Sequence, residues 1–199
     1  MASVPEPLRR IAELLTSFEP SWCLCGGWAV DAWLGRRTRD HVDVDVVVFA
    51  EDQRAIHERL RGWRPVAHER VEDEHDDPWE GSPVAVGTHV HARADDGLEL
   101  EVFLDERAGD AWVLRDEPRI TVPVARAVAT SPWNVPTAAP EVLCFFKATA
   151  YDETSPVGPR DHDRIDVDAL EPTLTDEQRD WLRWAVAAVD RRHPWPNGW

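Results

Sequence analysis

The fold of this chain is decided by residues 25–49, which read CGGWAVDAWLGRRTRDHVDVDVVVF. The stretch opens with Gly26 and Gly27, and near its end Asp43 and Asp45 stand one residue apart within a run of valines. Alternate residues of a β-strand share one face, so the two aspartates are predicted to lie on the same side of a strand. The opposite side is then entirely apolar and must be core: Val42, Val44, Val46 and Val48.

The aspartate pair raises an electrostatic question, because carboxylates about 6–7 Å apart on one strand face repel each other. A divalent cation between them would remove the repulsion, since such ions take oxygen ligands of this kind. The alternative is an edge strand that shows its acids to water. The Asp43 and Asp45 pair taken alone favours this alternative.

A second segment repeats the pattern. In LELEVFLDE, residues 98–106, one face carries acids together with an apolar residue: Glu99, Glu101, Phe103 and Asp105. If the two strands are neighbours in one sheet, three or four carboxylates converge. Two-metal phosphoryl transfer requires such a cluster, so the second segment favours the cation site over the exposed edge.

The two glycines separate the end of a short strand from the start of a helix. Backbone N–H groups at such a turn can hold phosphate oxygens. Three cations between the glycines and the aspartates suit a triphosphate: Arg36, Arg37 and Arg39. The alternatives are an ordinary turn and a solvated basic loop.

Hydrophobic periodicity predicts mixed helices and strands followed by helices alone. Helices are predicted at residues 5–18, 28–35, 51–62, 139–152, 160–170 and 175–190, the last with a capping box of Thr175 and Gln178. Strands are predicted at 22–27, 42–50, 64–68, 83–94 and 98–106, with an edge strand within 110–124 and an acidic loop at 69–81. The fold class is therefore α/β (α+β), with a first domain at 1–130, a C-terminal helical part at 131–199 and a boundary in the loop-like stretch 129–137.

Composition and charge limit the partners of the protein. Its 199 residues include 38 Asp and Glu against 22 Lys and Arg, a net charge of −16, which repels polymeric nucleic acid and attracts small cations. We find no apolar run long enough for a membrane span and no signal-peptide pattern, so we expect no membrane partner and a cytoplasmic location. The three cysteines are expected to be buried free thiols: Cys23, Cys25 and Cys144.

A histidine pair and a single lysine also bear on function, but less directly than the acidic residues. His89 and His91 are predicted to share a strand face, but two imidazoles without nearby thiolates are usually surface polar residues, so we expect no metal role for them. Lys147 is the only lysine in the chain. It lies in a predicted apolar helix, from which a lysine can also simply extend its amine to solvent.

The segment GGWAVDAWLGRRTRDHVDVDV resembles the nucleotidyltransferase superfamily of polymerase-beta type, and in particular the aminoglycoside and lincosamide nucleotidyltransferases. The resemblance consists of the Gly-Gly-Trp opening, the Leu-Gly-Arg turn, the Thr-Arg-x-His segment and the spacing to the aspartates. Two later segments, FLDERAGDAWVLRDEPRI and APEVLCFFKA, resemble bacterial relatives of the same group. The resemblance covers most of the chain, and it implies that residues 1–130 form a nucleotidyltransferase domain with a mixed sheet flanked by helices.

The resemblance also implies site residues. Asp43 and Asp45 would bind Mg²⁺, and a third carboxylate on a later strand would complete the metal site or act as general base. We expect Glu101 in that position and Glu99 as the second choice, although the drug-modifying members carry aspartate there. The nucleotide phosphates would be bound by four residues: Gly26, Gly27, Arg39 and Lys147.

The function expected from this resemblance is Mg²⁺-dependent transfer of a nucleoside monophosphate, AMP from ATP or another nucleoside triphosphate, to a hydroxyl of a small molecule, with release of pyrophosphate. The acceptor would be an aminoglycoside- or lincosamide-like antibiotic, and the acidic surface suits a cationic one. Two alternatives remain open. One is a nucleotidyltransferase of toxin–antitoxin type that modifies protein or RNA, and the other is a nucleotide- or metal-binding module without catalysis.

Overall fold

The computed structural model describes residues 3–19, 21–68, 77–150 and 160–189. Within these ranges the chain forms seven α-helices and nine β-strands. The helices are α1 (Glu6–Leu14), α2 (Gly26–Leu34), α3 (Gln53–Arg59), α4 (Val124–Ala127), α5 (Pro140–Thr149), α6 (Asp161–Leu170) and α7 (Asp176–Val189). The strands are β1 (Trp22–Leu24), β2 (Val44–Phe49), β3 (Arg64–His68), β4 (His89–Arg93), β5 (Glu99–Ala108), β6 (Ala111–Val113), β7 (Thr121–Pro123), β8 (Val128–Thr130) and β9 (Pro136–Ala138).

The strands form one mixed sheet in the order β3-β4-β5-β2-β1-β9-β8. The β2–β5 and β1–β9 pairs are parallel, and the other neighbours along this path are antiparallel. The C-terminal end of β5 also pairs with β6, and β6 pairs with β7. Both β6 and β7 lie within the stretch predicted to contain an edge strand. The helices pack on this sheet and on one another. The predicted fold class, a mixed sheet flanked by helices with helices at the C-terminal end, is confirmed.

Strand β2 is buried on both faces over most of its length, which explains its run of valines. Val44, Val46 and Val48 are fully buried, as the alternation predicted. Val42 was predicted to lie in the core, but it is 85% exposed. That prediction was wrong because the strand begins only at Val44, so the two residues before it belong to the incoming loop.

Helix α2 begins directly at the glycine pair. Its backbone ends at Gly35, whose φ of 63° is left-handed, so Gly35 closes the helix as predicted. The residues in the middle of α2 are buried, and all of them are apolar except Asp31. The helix contacts β2, β9, α5 and α6, and it therefore joins the sheet to the C-terminal helices.

The C-terminal helices form a layer in which α5 contacts both α6 and α7. The capping box predicted for α7 is present, since the Thr175 N–H donates to Gln178 Oε1 (2.9 Å) and the Gln178 N–H donates to Thr175 Oγ1 (3.3 Å). The predicted boundary stretch contains β8 and β9, and β9 pairs with β1 in the sheet. The division of the chain into two parts at this stretch stays a prediction.

No helix in the described part of the chain combines the length and the apolar character that crossing a membrane would require. The three cysteines are buried and free, as expected. Most of the acidic loop predicted at 69–81 and the end of the helix predicted at 139–152 lie outside the described residues.

Candidate active site

Three carboxylates converge where the parallel strands β2 and β5 lie side by side. The register of this pair sets Asp45 directly beside Glu101, and Asp43 lies in the loop immediately before β2. Carboxylate oxygens of Asp43, Asp45 and Glu101 all lie within 4.8 Å of one another. Glu99 forms an ion pair with Arg93 instead and is not part of this cluster. Of the two residues considered for the third carboxylate, Glu101 is the one that the fold brings to the aspartates.

The cluster is electrostatically unfavourable without a counter-charge. Burial raises the pKa of Asp45, and the negative charges of Asp43 and Glu101 raise it further. Burial and the charge of Glu101 likewise raise the pKa of Asp43. Both shifts disfavour the ionised forms. A divalent cation reverses this balance, and three carboxylates are the oxygen donors that Mg²⁺ accepts. The residues therefore fit a Mg²⁺ ion.

Glu101 differs from the two aspartates because it has hydrogen-bond donors. Burial by itself would raise its pKa, but hydrogen bonds from His89 and His91 outweigh burial and hold the pKa well below its usual range. His89 Nδ1 lies 2.9 Å and His91 Nε2 lies 3.5 Å from Glu101 Oε1. The same contact raises the pKa of His91. Glu101 is consequently held as a carboxylate.

The glycine pair lies against this cluster with no room for side chains. Gly26 has a φ of 63°, and a Cβ on it would overlap the carboxylate of Asp45. A Cβ on Gly27 would overlap the guanidinium of Arg39 and the imidazole of His41. Gly26 thus requires glycine for its left-handed backbone as well as for space, and a side chain on Gly27 would force Arg39 and His41 to move. The first turn of α2 is thereby brought next to the carboxylates.

The loop between α2 and β2 is held by Asp31, a residue to which the sequence assigned no role. Asp31 Oδ1 accepts hydrogen bonds from the Thr38 N–H (2.9 Å) and from the Thr38 hydroxyl. His41 Nε2 lies 2.6 Å from Asp31 Oδ2, and its ring packs on Trp28 with 4.5 Å between ring centroids. Burial opposes ionisation of Asp31, but these hydrogen bonds outweigh it and lower its pKa. The sequence did indicate that this loop matters, because Thr38 and His41 belong to the Thr-Arg-x-His segment.

The two expected phosphate-binding cations, Arg39 and Lys147, meet at carboxylates of α6. Arg39 donates two hydrogen bonds to Asp166, Nε to Oδ1 (3.1 Å) and Nη2 to Oδ2 (2.9 Å). Lys147 Nζ lies 2.8 Å from Asp163 Oδ1 and 3.0 Å from Asp166 Oδ2. The Lys147 side chain is therefore buried and paired, and it does not extend to solvent as the alternative proposed.

Asp163 and Asp166 were missed by the sequence reasoning. Their spacing of three residues within a predicted helix places them on one face, and this was the available signal. The positive charge of Lys147 offsets part of the rise in the pKa of Asp45, so the lysine lies close enough to act on the carboxylate cluster. The other two arginines of the loop are exposed, and Arg37 stacks on Trp28 and pairs with Asp40.

A cleft of about 390 Å³ opens beside the carboxylates, between β3, β4 and β5. Asp43, His68, His91, Glu99 and Glu101 are among the residues that line it. Its volume lies within the range of small-molecule sites. A larger groove of about 500 Å³ lies next to α3, but none of the predicted site residues lines it.

A mixed sheet with an aspartate pair at the start of one strand, a carboxylate on its parallel neighbour and a glycine turn at the start of a helix is the architecture of the nucleotidyltransferase superfamily. A sequence model of the family described as aminoglycoside-2''-adenylyltransferase matches residues 7–170. The chain therefore belongs to the aminoglycoside-2''-adenylyltransferase family, and it is an enzyme of the adenylyltransferase type. The alternative of a binding module without catalysis is thereby set aside.

Solved structures agree with this fold. The lincosamide antibiotic adenylyltransferase LnuA in its lincomycin-bound form is 16% identical, covers 87% of this chain and 100% of its own, and has a TM-score of 0.60. The antibiotic-resistance factor ANT(2'')-Ia in complex with adenylyl-2''-tobramycin is 22% identical, covers 93% of this chain and 95% of its own, and has a TM-score of 0.61. At these identities the likeness concerns the fold alone. A search of curated protein sequences finds no significant match.

Proposed function

We propose that this protein transfers AMP from ATP to a hydroxyl of a small cationic antibiotic of the aminoglycoside class, with Mg²⁺ as cofactor and pyrophosphate as the second product. The observation that carries the proposal is the convergence of Asp43, Asp45 and Glu101 beside the Gly26 turn. Carboxylates that are buried together despite their mutual repulsion, with raised pKa values for Asp43 and Asp45, are typical of functional sites.

The metal would be held by Asp43, Asp45 and Glu101, and when bound it supplies neutralisation of the triphosphate charge. The first turn of α2 would donate backbone N–H groups of Gly26 and Gly27 to phosphate oxygens. Arg39 and Lys147 are paired with the α6 carboxylates. They would also contact the phosphates of the bound nucleotide and neutralise part of its charge.

Glu101 would accept the proton of the acceptor hydroxyl as that oxygen attacks the α-phosphorus, while the bond to the pyrophosphate oxygen breaks in line. His89 and His91 keep Glu101 ionised before the reaction. The protein would otherwise act by holding the two substrates in line and by placing charge where charge develops.

The cleft beside the carboxylates is the proposed acceptor site. Its lining includes three acidic residues, Asp43, Glu99 and Glu101, and two arginines, Arg64 and Arg93. Arg93 pairs with Glu99, so Asp43 and Glu101 are the carboxylates that could attract an ammonium group of an aminoglycoside. The family description and the antibiotics bound by LnuA and ANT(2'')-Ia support this acceptor class over a protein or an RNA end. The net charge of −16 further disfavours RNA. ATP as donor and three free thiols suit the cytoplasm.

The proposal is tested by mass spectrometry of reactions that contain the protein, Mg²⁺, one of the four nucleoside triphosphates and one antibiotic from a panel of aminoglycosides and lincosamides. The expected product is an aminoglycoside heavier by one AMP, formed with ATP. Asp45→Asn should reduce its formation by at least about 100-fold, while Asp110→Asn, at an exposed turn, should not. An Asp45→Asn variant with full turnover would refute the mechanism, and a product only with lincosamides would refute the acceptor class.

A further inference from the structure

Glu101 belongs to two groups of potential metal ligands. One is the carboxylate cluster with Asp43 and Asp45, and the other consists of His89, His91 and Glu101. In the second group, as in the first, the ligand atoms all lie within 4.8 Å of one another. In the proposed transfer the two histidines only donate hydrogen bonds to Glu101. Their convergence on one carboxylate also gives them the arrangement of metal ligands.

Strand pairing explains why both imidazoles reach the same carboxylate. Strands β4 and β5 are antiparallel, with His91 directly opposite Glu101 and His89 opposite Phe103. Because His89 and His91 are two residues apart, they point to the same face of the sheet as Glu101. The ring of His91 is also flanked by the ring of His68, with 5.0 Å between centroids, which restricts the orientation of His91.

The distances suit one small ion. Ligand atoms at about 2.0–2.1 Å from a tetrahedral Zn²⁺ lie about 3.3–3.4 Å from each other. The two observed separations from Glu101 Oε1, 2.9 Å to His89 Nδ1 and 3.5 Å to His91 Nε2, lie on either side of this value. The third separation, between the two imidazoles, is within 4.8 Å, so side-chain rotations that bring the two nitrogens closer together would give a tetrahedral geometry with the fourth position open.

The donor types select a different metal from the one expected at the aspartates. Two imidazole nitrogens and one carboxylate form a ligand set typical of zinc sites with an open position. Imidazole favours Zn²⁺, Cu²⁺, Ni²⁺ and Co²⁺, whereas Mg²⁺ prefers oxygen ligands alone. A metal ion can reach these ligands from solvent, because the side chains of His89 and His91 are 30% and 55% exposed and His91 lines the cleft.

We propose that His89, His91 and Glu101 form a second metal site, specific for a transition-metal dication, that shares Glu101 with the carboxylate cluster. The site is defined by its nitrogen ligands. Excess Mg²⁺ therefore does not displace the bound ion, and binding needs no nucleotide or antibiotic. The proposal does not depend on the transfer reaction, so its failure would leave the proposed function intact.

The test is a Co²⁺ titration of the tag-free protein in excess Mg²⁺, followed by visible absorption, since an affinity tag of histidines would itself bind the ion. The expected result is one equivalent of Co²⁺ with the intense absorption of a tetrahedral site. His89→Asn and His91→Gln should each weaken binding by more than about 100-fold, since even residues outside the ligand shell contribute 10–100-fold. Asp43→Asn and a matched histidine control, His162→Gln on α6, should retain it.

Three results would overturn the proposal. They are no Co²⁺ absorption in the wild type, equal binding by His91→Gln and wild type, or loss of binding in Asp43→Asn with retention in His91→Gln. Circular dichroism establishes that each variant is folded. Pulsed EPR of the Cu²⁺-loaded wild type provides a measurement that needs no variant, and coupling to two imidazole nitrogens is expected. Coupling to none would refute the site.

Discussion

Replacement of Gly26 by alanine tests whether the glycine turn positions the carboxylates that we propose to be catalytic. The matched control is Gly35→Ala, because both glycines have a φ of 63°. A left-handed conformation costs a residue with a side chain about 1–2 kcal/mol. A Cβ on Gly35 would lie 3.7 Å from Pro132 Cβ, which is an ordinary contact, whereas a Cβ on Gly26 would overlap the carboxylate of Asp45. Only the first substitution therefore disturbs the site.

The overlap adds to the backbone strain. Overpacking of a well-packed region costs about 1–3 kcal/mol, so Gly26→Ala should lose about 2–5 kcal/mol and Gly35→Ala about 1–2 kcal/mol. For a chain of this size each kcal/mol lowers the melting temperature by about 2–4 °C. Because Asp45 lies on a buried strand, its carboxylate has to turn away from the added methyl group. A displacement of about 1 Å reduces turnover by about 100-fold.

The assays are thermal unfolding and AMP transfer, measured for both variants. We expect Gly35→Ala to be less stable but active, and Gly26→Ala to be less stable and nearly inactive. The double variant Gly26→Ala with Asp45→Ala should recover most of the stability lost to the overlap, since it removes the two nearest atoms and leaves only the Cβ of residue 45, at 2.9 Å. Equal activity of the two glycine variants, or a double variant whose stability losses simply add, would contradict the argument.

Three further predictions concern the same site. Glu101→Gln should reduce AMP transfer by at least about 100-fold, whereas Glu106→Gln, at an exposed position of the same strand, should not. Saturating Mg²⁺ should raise the melting temperature of the wild type, because an ion at 100 times its Kd adds about 2.7 kcal/mol, and it should not raise that of Asp45→Asn. Burial opposes the ionisation of Asp163, but its contacts with Arg160 and Lys147 outweigh burial and lower its pKa. The stability that ionised Asp163 contributes is therefore complete above its unfolded pKa and is lost as the pH falls through its folded pKa. Asp163→Asn should consequently make the free energy of unfolding less dependent on pH at acidic pH. Asp168→Asn, at an exposed position of the same helix, should not.

Each of these predictions has its own contrary result. Full activity of Glu101→Gln would remove Glu101 from both the metal site and proton transfer. A Mg²⁺ effect of equal size in Asp45→Asn would place the ion elsewhere. Unchanged acid sensitivity in Asp163→Asn, measured by denaturant unfolding from neutral to acidic pH, would show that its ion pairs contribute nothing to stability.

Local features of the sequence were sufficient for the parts of this protein that depend on neighbouring residues. Gly35 ends α2, and Thr175 with Gln178 begins α7, because capping is a matter of a few adjacent backbone groups. The alternation in β2 correctly assigned Val44, but it failed at Val42, since the pattern continues past the point where strand pairing starts. Periodicity predicts which face a residue takes, but not where the element begins.

The sequence by itself thus determined the glycine turn, the aspartate pair and the class of chemistry, because these are local patterns. Only the tertiary structure decided that Glu101 and not Glu99 joins the aspartates, since this depends on the register between strands more than fifty residues apart. The pairing of Arg39 with Asp166 and the convergence of the histidines on Glu101 have the same origin. Contacts between distant segments follow from how helices and strands pack together, and no local propensity contains that information.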